Sequence, residues 1–366
     1  MFKILLLFLL IITLSSCQKN TTDEIKIGFV AGLTGKYSST SVKIRDGFML
    51  AFHEINYKIN NKKVIIIQKD DKQDPKIAKE IAKYFIKNNI KLIVGNATSS
   101  MTNITLNQIK NKNDFLLASV TASSRDFSNK DDNFIRTQVA DSQKQYDQLS
   151  LYLKKNSIKK VVYIYDKNNI NYVNGFFEFF QDMLIKSGGI KFVATNLIQD
   201  KHQDIIDKLN SISYDMILIV ANSSDTANLI QRLKINNINK QIMISQWANT
   251  SDFIEFGGKA IENVIVNTAY SDESRNNKFL HFKNKFKEFY KTDASIYEAK
   301  GYEMAKILIE NLKKTTDISK LKDEIINGKT YNGLQGNIIF NKYGDTNKKY
   351  FVMKLINGKF IKINNF

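Results

Sequence analysis

The stretch KIGFVAGLTGKYSST, residues 26–40, joins a short apolar run directly to a turn of small and hydroxyl-bearing residues. Lys26–Val30 has the length and composition of a buried parallel strand. The turn that follows contains glycine, serine and threonine, and it leads into a stretch of helix length. This unit of strand, turn and helix is typical of an α/β fold, and its repetition along the chain sets the architecture.

The same unit recurs in both halves of the chain. Amphipathic stretches of helix length separate the strands. The clearest runs from Pro75 to Asn88, with Asp74 as its N-cap and Pro75 where a missing N–H costs nothing. This alternation predicts parallel sheets with right-handed crossovers, and at this length we expect two sheets with separate cores. The other strands are predicted at Val64–Ile67, Leu92–Gly95, Phe115–Ser119, Val161–Tyr165, Met216–Val220 and Ile242–Ser245.

The N-terminus has the layout of a secretory signal. A basic start is followed by the apolar run Ile4–Ile12 and then by small residues up to Ser16. The run is too short to span a membrane, which takes about 20 apolar residues. The segment LSSC ends at Cys17, the chain's single cysteine, and resembles the lipobox of bacterial lipoproteins. It implies removal of residues 1–16, lipidation of Cys17 and a membrane tether; the alternative is an ordinary signal peptide with an incidental cysteine.

Composition excludes several classes of protein. The net charge is +18, and loss of the one lysine in residues 1–16 leaves 18 − 1 = +17, but the lysines are spread along the chain, so we expect no nucleic-acid partner. One cysteine permits no internal disulfide. His53, His202 and His281 lie too far apart in sequence for a ligand motif, so we expect neither a metal nor a cofactor.

Three predicted strands in the first half end in turns rich in small hydroxyl residues. These turns are AGLTGKYSST, NATSSMT and VTASSRDF. Hydroxyl groups beside the free N–H groups of a helix N-terminus form a good seat for a carboxylate. Ordinary helix capping is the alternative for any one turn, but three turns at strand ends favour a binding site.

The corresponding turns of the second half offer aromatic and amide side chains. These suit a lobe that closes over a small organic ligand. Helix capping is an equal alternative for Asn222 and Asp225, and a core position is the alternative for Trp247. The residues concerned are Tyr172, Asn222, Asp225, Gln246 and Trp247.

Together these segments resemble the leucine/isoleucine/valine-binding family of type I periplasmic binding proteins. Residues 25–56 resemble the family's opening strand, loop and helix, and VGNATSSMT and LASVTASSRDF resemble its anchoring turns. FIRTQVADSQKQ resembles the first crossover, and residues 331–360 resemble the closing hairpin and final strand. The likeness spans about residues 25 to 360, and only the combination is specific.

The resemblance implies an α/β fold of two Rossmann-like lobes joined by three crossovers, with the ligand clamped between them. Lobe one is expected at 24–140 plus 269–330, and lobe two at 141–268 plus 331–366, with the last crossover near 328–335. The resemblance places a carboxylate on Ser99, Ser100, Thr121 and Ser123, a first-loop wall at Tyr37 to Thr40, and further contacts at Tyr172, Asn222 and Gln246. Trp247 is expected in the cleft because it follows a strand.

One position departs from the family pattern. Amino-acid binders commonly carry an acidic residue where this chain has Gln246. A buried ammonium without a carboxylate partner is costly. Either Asp225 or another acid takes over that role, or the ligand carries no ammonium; the sequence leaves both possibilities open.

The expected function is that of an extracytoplasmic, monomeric, lipid-tethered protein that delivers a small polar solute to an ABC-transporter permease. The alternative is a bilobal lipoprotein that acts through a protein partner and transports no solute. Catalysis is not expected, because the chain lacks a Gly-x-Ser-x-Gly elbow, a metal-binding His pair and a phosphate-binding loop.

Overall fold

The computed structural model describes residues 24–139, 146–186, 191–196, 202–327 and 330–363. The expected signal peptide, residues 1–16, and the expected lipidation site, Cys17, lie outside these ranges. Within them, no helix is both long and apolar enough to cross a membrane.

The first lobe is built on a six-stranded sheet in the order β2-β3-β1-β4-β5-β6. All neighbours pair in parallel except β2, which is antiparallel to β3. The elements are β1 (Glu24–Ala31), α1 (Ser38–His53), β2 (Lys58–Ile59), β3 (Lys62–Asp70), α2 (Pro75–Lys87), β4 (Leu92–Gly95), α3 (Ser99–Ile109), β5 (Leu116–Ser119) and β6 (Phe134–Arg136).

The second lobe is built on a seven-stranded sheet in the order β15-β14-β11-β10-β9-β7-β8. Strands β7 to β11 pair in parallel, and β14 and β15 add an antiparallel edge. The elements are α4 (Asp147–Lys155), β7 (Lys160–Tyr165), α5 (Ile170–Lys186), β8 (Lys191–Asn196), α6 (His202–Asn210), β9 (Met216–Val220), α7 (Ser223–Ile235), β10 (Gln241–Ile244), α8 (Ser251–Gly257), β11 (Ile265–Thr268), β14 (Phe351–Ile356) and β15 (Lys359–Lys362).

Between β11 and β14 the chain returns to the first lobe. It forms α9 (Asn277–Tyr290), α10 (Ile296–Leu312), α11 (Ile318–Ile326) and a hairpin of β12 (Thr330–Gly333) and β13 (Gly336–Ile339). The expected α/β fold of two parallel-sheet lobes is confirmed, and the predicted strands and the capped helix at Pro75 are present.

The hairpin corrects one predicted boundary. The sequence places residues from 331 onward in lobe two, but Tyr331, Ile338 and Phe340 pack into the apolar core of the first lobe. The last crossover therefore runs through residues 341–350 rather than 328–335. The sequence misses this because a two-stranded hairpin with one apolar face packs equally well on either lobe.

The carboxyl ends of the central strands are fully buried, as the apolar runs predict. LIVG of β4 and MILIV of β9 have no exposed residue. Asp74 caps α2 by accepting hydrogen bonds from the N–H groups of Lys76 and Ile77. Buried strands and capped helices hold each strand end at a fixed point, so the turns that follow are positioned by the sheets.

Helices α1 and α10 cross at unusually short range. A Cβ at Gly47 would lie 1.8 Å from the carbonyl oxygen of Glu298, and a Cβ at Gly301 would lie 2.0 Å from that of Ile44. Only glycine permits this approach of the two backbones. The crossing fixes the height and rotation of α10 relative to the first sheet.

A buried ion pair joins the first lobe to the last crossover. Arg136, at the end of β6, is 0% exposed and donates from Nε to Asp345 Oδ1 at 2.7 Å. Its Nη1 donates to the carbonyl oxygens of Ala122 and Ser124 at 3.3 and 2.8 Å, and its Nη2 donates to Ser128 Oγ at 2.8 Å. One side chain thus holds both the turn after β5 and the third crossover.

Replacing Arg136 is expected to destabilise the fold strongly. Arg136→Met leaves the Asp345 carboxylate buried without its cation, a change that costs about 3–5 kcal/mol in free energy of unfolding. Urea denaturation followed by circular dichroism measures it. The matched control is Lys83→Met, which breaks the exposed Lys83–Glu80 pair and should cost less than about 1 kcal/mol. Equal stability of the two variants would contradict this role for Arg136.

Candidate functional site

The two lobes are closed on each other along their facing edges. Ion pairs bridge them from Lys36 to Asp225 at 2.8 Å, from Lys43 to Asp252 at 2.5 Å and from Arg125 to Glu178 at 2.6 Å. Each pair remains partly exposed, so each contributes at most about 1 kcal/mol. The polar rim holds the lobes in register but does not by itself make closure strongly favourable.

A cavity of about 50 Å³ lies between the closed lobes. One water requires about 10–15 Å³ on this scale, so the space suits a small solute and not a peptide. Residues from both lobes and from the first and last crossovers contribute to its wall. They are Thr40, Ala97, Thr98, Ser99, Thr121, Ser123, Gln138, Tyr146, Asn169, Tyr172, Phe176, Gln246, Trp247, Asn267, Tyr297, Lys300 and Tyr350.

The wall of the first lobe carries the predicted hydroxyl groups. Ser99 begins α3, and its Oγ accepts a hydrogen bond from the N–H of Ser124 at 3.2 Å. Thr121 Oγ1 donates to the carbonyl oxygen of Ala97 at 2.7 Å. Thr40 and Ser123 line the cavity with hydroxyls that make no hydrogen bond within the described chain. The structure thus brings four of the predicted hydroxyl residues to one surface.

Ser100, by contrast, faces the interface between the lobes. Its N–H donates to Asn169 Oδ1 at 3.1 Å, and its Oγ accepts from the N–H of Asn171 at 3.2 Å. It does not line the cavity, although it was expected to hold a carboxylate with its neighbour Ser99. Because α3 begins here, successive residues point in different directions, and only Ser99 faces inward.

The wall of the second lobe is aromatic. Trp247 follows β10 and makes an edge-to-face contact with Tyr172 of α5, with ring centroids 6.3 Å apart. Its other neighbour is Tyr37 of the first lobe, stacked at 6.1 Å between centroids. Trp247 therefore lies in the cleft, where its position after a strand places it, and it contacts both lobes.

Tyr37 does not line the cavity, although it was expected to form part of its wall. Its hydroxyl donates to Asp166 Oδ2 at 3.0 Å and accepts from Asn168 Nδ2 at 2.9 Å, across the lobe interface. Burial, together with the charge of Asp166, raises the pKa of Tyr37 above its usual range. Tyr37 thus keeps its proton, and as a hydrogen-bond donor it latches the first loop to the second lobe.

Asn222 and Asp225 follow the capping alternative. Asn222 Oδ1 accepts from the N–H of Asp225 at 3.0 Å and caps α7, and Asp225 pairs with Lys36 at the rim. Neither lines the cavity. Asp225 therefore does not supply a carboxylate for a solute ammonium in the cavity.

Gln246 lines the cavity and belongs to a hydrogen-bonded row of four side chains, here called the hinge network: Lys300, Gln138, Tyr350 and Gln246. Lys300 Nζ donates to Gln138 Oε1 at 3.1 Å, and Gln138 Nε2 donates to the Tyr350 hydroxyl at 3.3 Å. Gln246 Nε2 donates to the same hydroxyl at 2.9 Å. The network joins α10 to the first and third crossovers and to the second lobe.

Sequence reasoning missed Gln138, Tyr350 and Lys300 of the hinge network, and the member that carries a charge is Lys300. It is 2% exposed, and its ammonium lies 4.7 Å from the ring centroid of Tyr270 and 5.1 Å from that of Tyr297. Burial, reinforced by repulsion from Lys348, lowers the pKa of Lys300 to about 7. The sequence does contain a signal for Lys300, because a lysine stands beside Gly301 on the apolar face of a helix. A search of strand ends passes over it, since it lies away from any strand end.

The cavity wall carries a single formal charge among the described residues, and that charge is the cation of Lys300. The remaining polar groups are hydroxyls and amides. Such a wall offers hydrogen-bond donors and aromatic area, which suits a small organic molecule with acceptor groups. In the described ranges, no cluster of three His, Cys, Asp or Glu side chains is arranged to hold a metal ion.

Comparison with known proteins agrees with this architecture. The profile of the family described as periplasmic binding protein matches residues 24–359. The Leu/Ile/Val-binding protein homolog 3 of Brucella melitensis is 24% identical over 351 residues, which cover 92% of this chain and 93% of the relative.

Two solved structures share the fold at low sequence identity. The leucine-binding protein LivK of Thermotoga maritima superposes with a TM-score of 0.84 at 20% identity, covering 93% of this chain and 98% of its own. An ABC-transporter solute-binding protein of R. palustris in complex with benzoate superposes with a TM-score of 0.83 at 14% identity, covering 93% and 95%. These likenesses establish the type I periplasmic binding protein fold.

The contacts of Tyr37 predict that it stabilises the closed arrangement. Tyr37→Phe keeps the stack on Trp247 but removes the hydrogen bond to the buried Asp166, which is worth about 1.5 kcal/mol or more. The ratio of closed to open molecules should therefore fall roughly tenfold.

This ratio can be measured by double electron–electron resonance. Spin labels are attached to cysteines that replace Lys79 of the first lobe and Arg232 of the second, in a chain that lacks Cys17. The control is Tyr84→Phe. Tyr84 is 39% exposed and lies on the first lobe, so this change removes a hydroxyl away from the lobe interface. An unchanged distance distribution in Tyr37→Phe would contradict the latch.

Proposed function

Because the chain belongs to the periplasmic binding protein family, of the Leu/Ile/Val-binding type, we propose that it captures a small polar solute between its lobes and delivers it to an ABC-transporter permease. The solute class is an amino acid, an amide or a small carboxylate. The observation that carries the proposal is the cavity, which both lobes and the crossovers enclose.

A solute in this cavity would contact both lobes at once. Ser99, Thr121 and Ser123 belong to the first lobe, and Tyr172 and Trp247 to the second. A ligand shifts an open–closed equilibrium only if it binds the closed form better, and contacts on both lobes provide that difference. The permease would then distinguish loaded from empty protein by its shape.

The relatives support a solute with a carboxylate but leave the rest of it open. The similar structures include a leucine-binding protein and a complex with benzoate. One ligand carries an ammonium and the other does not. The hydroxyl groups beside the N-terminus of α3 in this chain suit the carboxylate common to both.

The proposed location is outside the cytoplasm, with the folded chain tethered through lipid on Cys17. Relatives are periplasmic binding proteins, and the N-terminal sequence carries the signal and lipobox pattern. A lipid anchor would keep the protein near its permease without a membrane-spanning segment. We propose a monomer as the working form.

The proposal predicts that a small solute raises the melting temperature of the chain 19–366. A ligand bound only by the folded state stabilises it by about 2.7 kcal/mol at a hundredfold excess over Kd, or roughly 4 °C for a chain of this size. A thermal-shift screen would cover branched-chain, polar and aromatic amino acids, short amides, urea, and aliphatic and aromatic carboxylates.

The control for the screen is Trp247→Ala, which removes the ring that contacts both lobes and should abolish any shift. A shift that persists in this variant would place binding elsewhere. Absence of a shift for every compound would overturn the solute proposal in favour of a role through a protein partner.

A further inference from the structure

Lys300 presents an ammonium group with unfilled hydrogen-bonding capacity to the cavity. A lysine ammonium has three donors. Within the described chain its single hydrogen bond goes to Gln138 Oε1, and the carboxylates that attract it, those of Glu303 and Asp272, form no ion pair with it. Its other neighbours are the faces of Tyr270 and Tyr297. Buried cations are normally paired with an anion, so this group lacks the partner that its position calls for.

The fold holds Lys300 firmly in that position. Gly301, the next residue, sits at the close crossing with α1, and a Cβ there would lie 2.0 Å from the Ile44 carbonyl oxygen. Gln138 is itself oriented at both ends of its amide, by Lys300 and by Tyr350. The ammonium therefore cannot withdraw to another acceptor without disturbing a helix crossing or the hinge network.

We propose that Lys300 is a specificity-determining residue that pairs with the carboxylate of a solute lacking an ammonium group. This inference rests on the proposed function and narrows its solute class to small organic acids without an amino group.

Three acids near the cleft in the described part of the chain support this choice, because they are engaged elsewhere. Asp225 and Asp252 pair with Lys36 and Lys43 at the rim. Asp166 accepts from the hydroxyl of Tyr37. None of them lines the cavity, and the lining residue Gln246 offers an amide rather than a carboxylate. In the described part of the wall, a solute ammonium would meet the Lys300 cation and no carboxylate.

The charged groups packed around Lys300 make its pairing sensitive to pH. Lys348 repels it, while Glu303 and Asp272 attract it from outside ion-pair distance. Lys348 also lies over Tyr270, at 3.9 Å from Nζ to the ring centroid, and donates to that hydroxyl. Burial raises the pKa of Asp272 to about 6, so Asp272 is ionised over most of the range in which Lys300 titrates.

A bound carboxylate would stabilise the ammonium form and raise the pKa of Lys300 from its value of about 7. Above pH 7, Lys300 is then protonated in the complex but largely deprotonated in the empty protein. Affinity should therefore fall as the pH rises above 7, by up to about tenfold per pH unit, and binding at pH 8 should take up roughly one proton.

The first experiment compares matched solutes on the wild-type chain 19–366 by isothermal titration calorimetry at pH 6.5. Three skeletons are each tested as amino acid, amino-free acid and amide of that acid. The sets are leucine, 4-methylpentanoate and 4-methylpentanamide; phenylalanine, 3-phenylpropanoate and 3-phenylpropanamide; and aspartate, succinate and succinamate. The inference expects at least one amino-free acid to bind at least tenfold more tightly than its amino acid.

The second experiment tests Lys300 on the acid that binds best. Lys300→Met keeps the length of the side chain and removes the charge, and affinity for the carboxylate should fall at least thirtyfold, the usual effect of removing one partner of a buried charge pair. The matched control is Lys348→Met, which removes a second, half-buried lysine on the same tyrosine ring outside the cavity. The Lys348→Met variant should keep its affinity for the carboxylate. The pH at which that affinity declines should rise, because Lys348 no longer repels the Lys300 ammonium.

The variant is expected to fold, because a buried lysine with a lowered pKa favours the unfolded state at neutral pH. The melting temperature of ligand-free Lys300→Met at pH 7 should equal or exceed that of the wild-type chain. Titrations at pH 8 in phosphate and in Tris, which differ in ionisation enthalpy, should show proton uptake for the wild-type chain and none for Lys300→Met.

The outcomes separate the two proposals. If an amino acid binds as tightly as its amino-free acid, or if Lys300→Met keeps the carboxylate affinity, the inference is overturned while the solute-binding function stands. If no amino-free acid binds, the inference is also overturned, and the function is then decided by the broader thermal-shift panel. Selective carboxylate binding that depends on Lys300 supports both.

Discussion

The geometry of the site depends on the buried pair of Arg136 and Asp345. A buried ion pair rarely adds net stability, because desolvation offsets its attraction. Its use here is positional, since a single guanidinium holds the carbonyl oxygens of Ala122 and Ser124 on one side and Asp345 of the last crossover on the other. The turn that carries Ser123 is thereby fixed to the last crossover, and the cavity wall there cannot relax independently of that segment.

A second constraint comes from packing instead of charge. The crossing of α1 and α10 at Gly47 and Gly301 leaves no space for a side chain, so α10 cannot slide or rotate relative to the first sheet. Lys300 is adjacent to this crossing, and its ammonium reaches the crossovers through Gln138. Backbone packing thus determines where a charge sits in the cleft, and that charge determines which solutes the closed lobes accept.

The sequence predicts most of the fold because strands and helix caps are local features. The apolar runs at β4 and β9 and the cap at Asp74 specify their elements without long-range information. The site is predicted less well, because it depends on the direction in which each side chain points. Ser99 and Ser100 are neighbours of the same chemistry, yet one faces the cavity and the other the lobe interface. Lys300 escapes a search of strand ends because it lies within a helix that a distant glycine contact brings to the cleft.

The same lysine also bears on how the empty protein behaves. In the closed form without a solute, the ammonium is buried with one amide acceptor, and such a group costs free energy unless it loses its proton or the lobes separate. The rim ion pairs are each too weak to offset a large penalty. An anion in the cavity removes that penalty. The free energy by which it favours closure is therefore larger than the free energy of its direct contacts alone. A solute without a negative charge fills the same space but leaves the cation unpaired, and its differential affinity for the closed form is smaller. Selection for charge and the coupling of binding to closure therefore follow from one unpaired group.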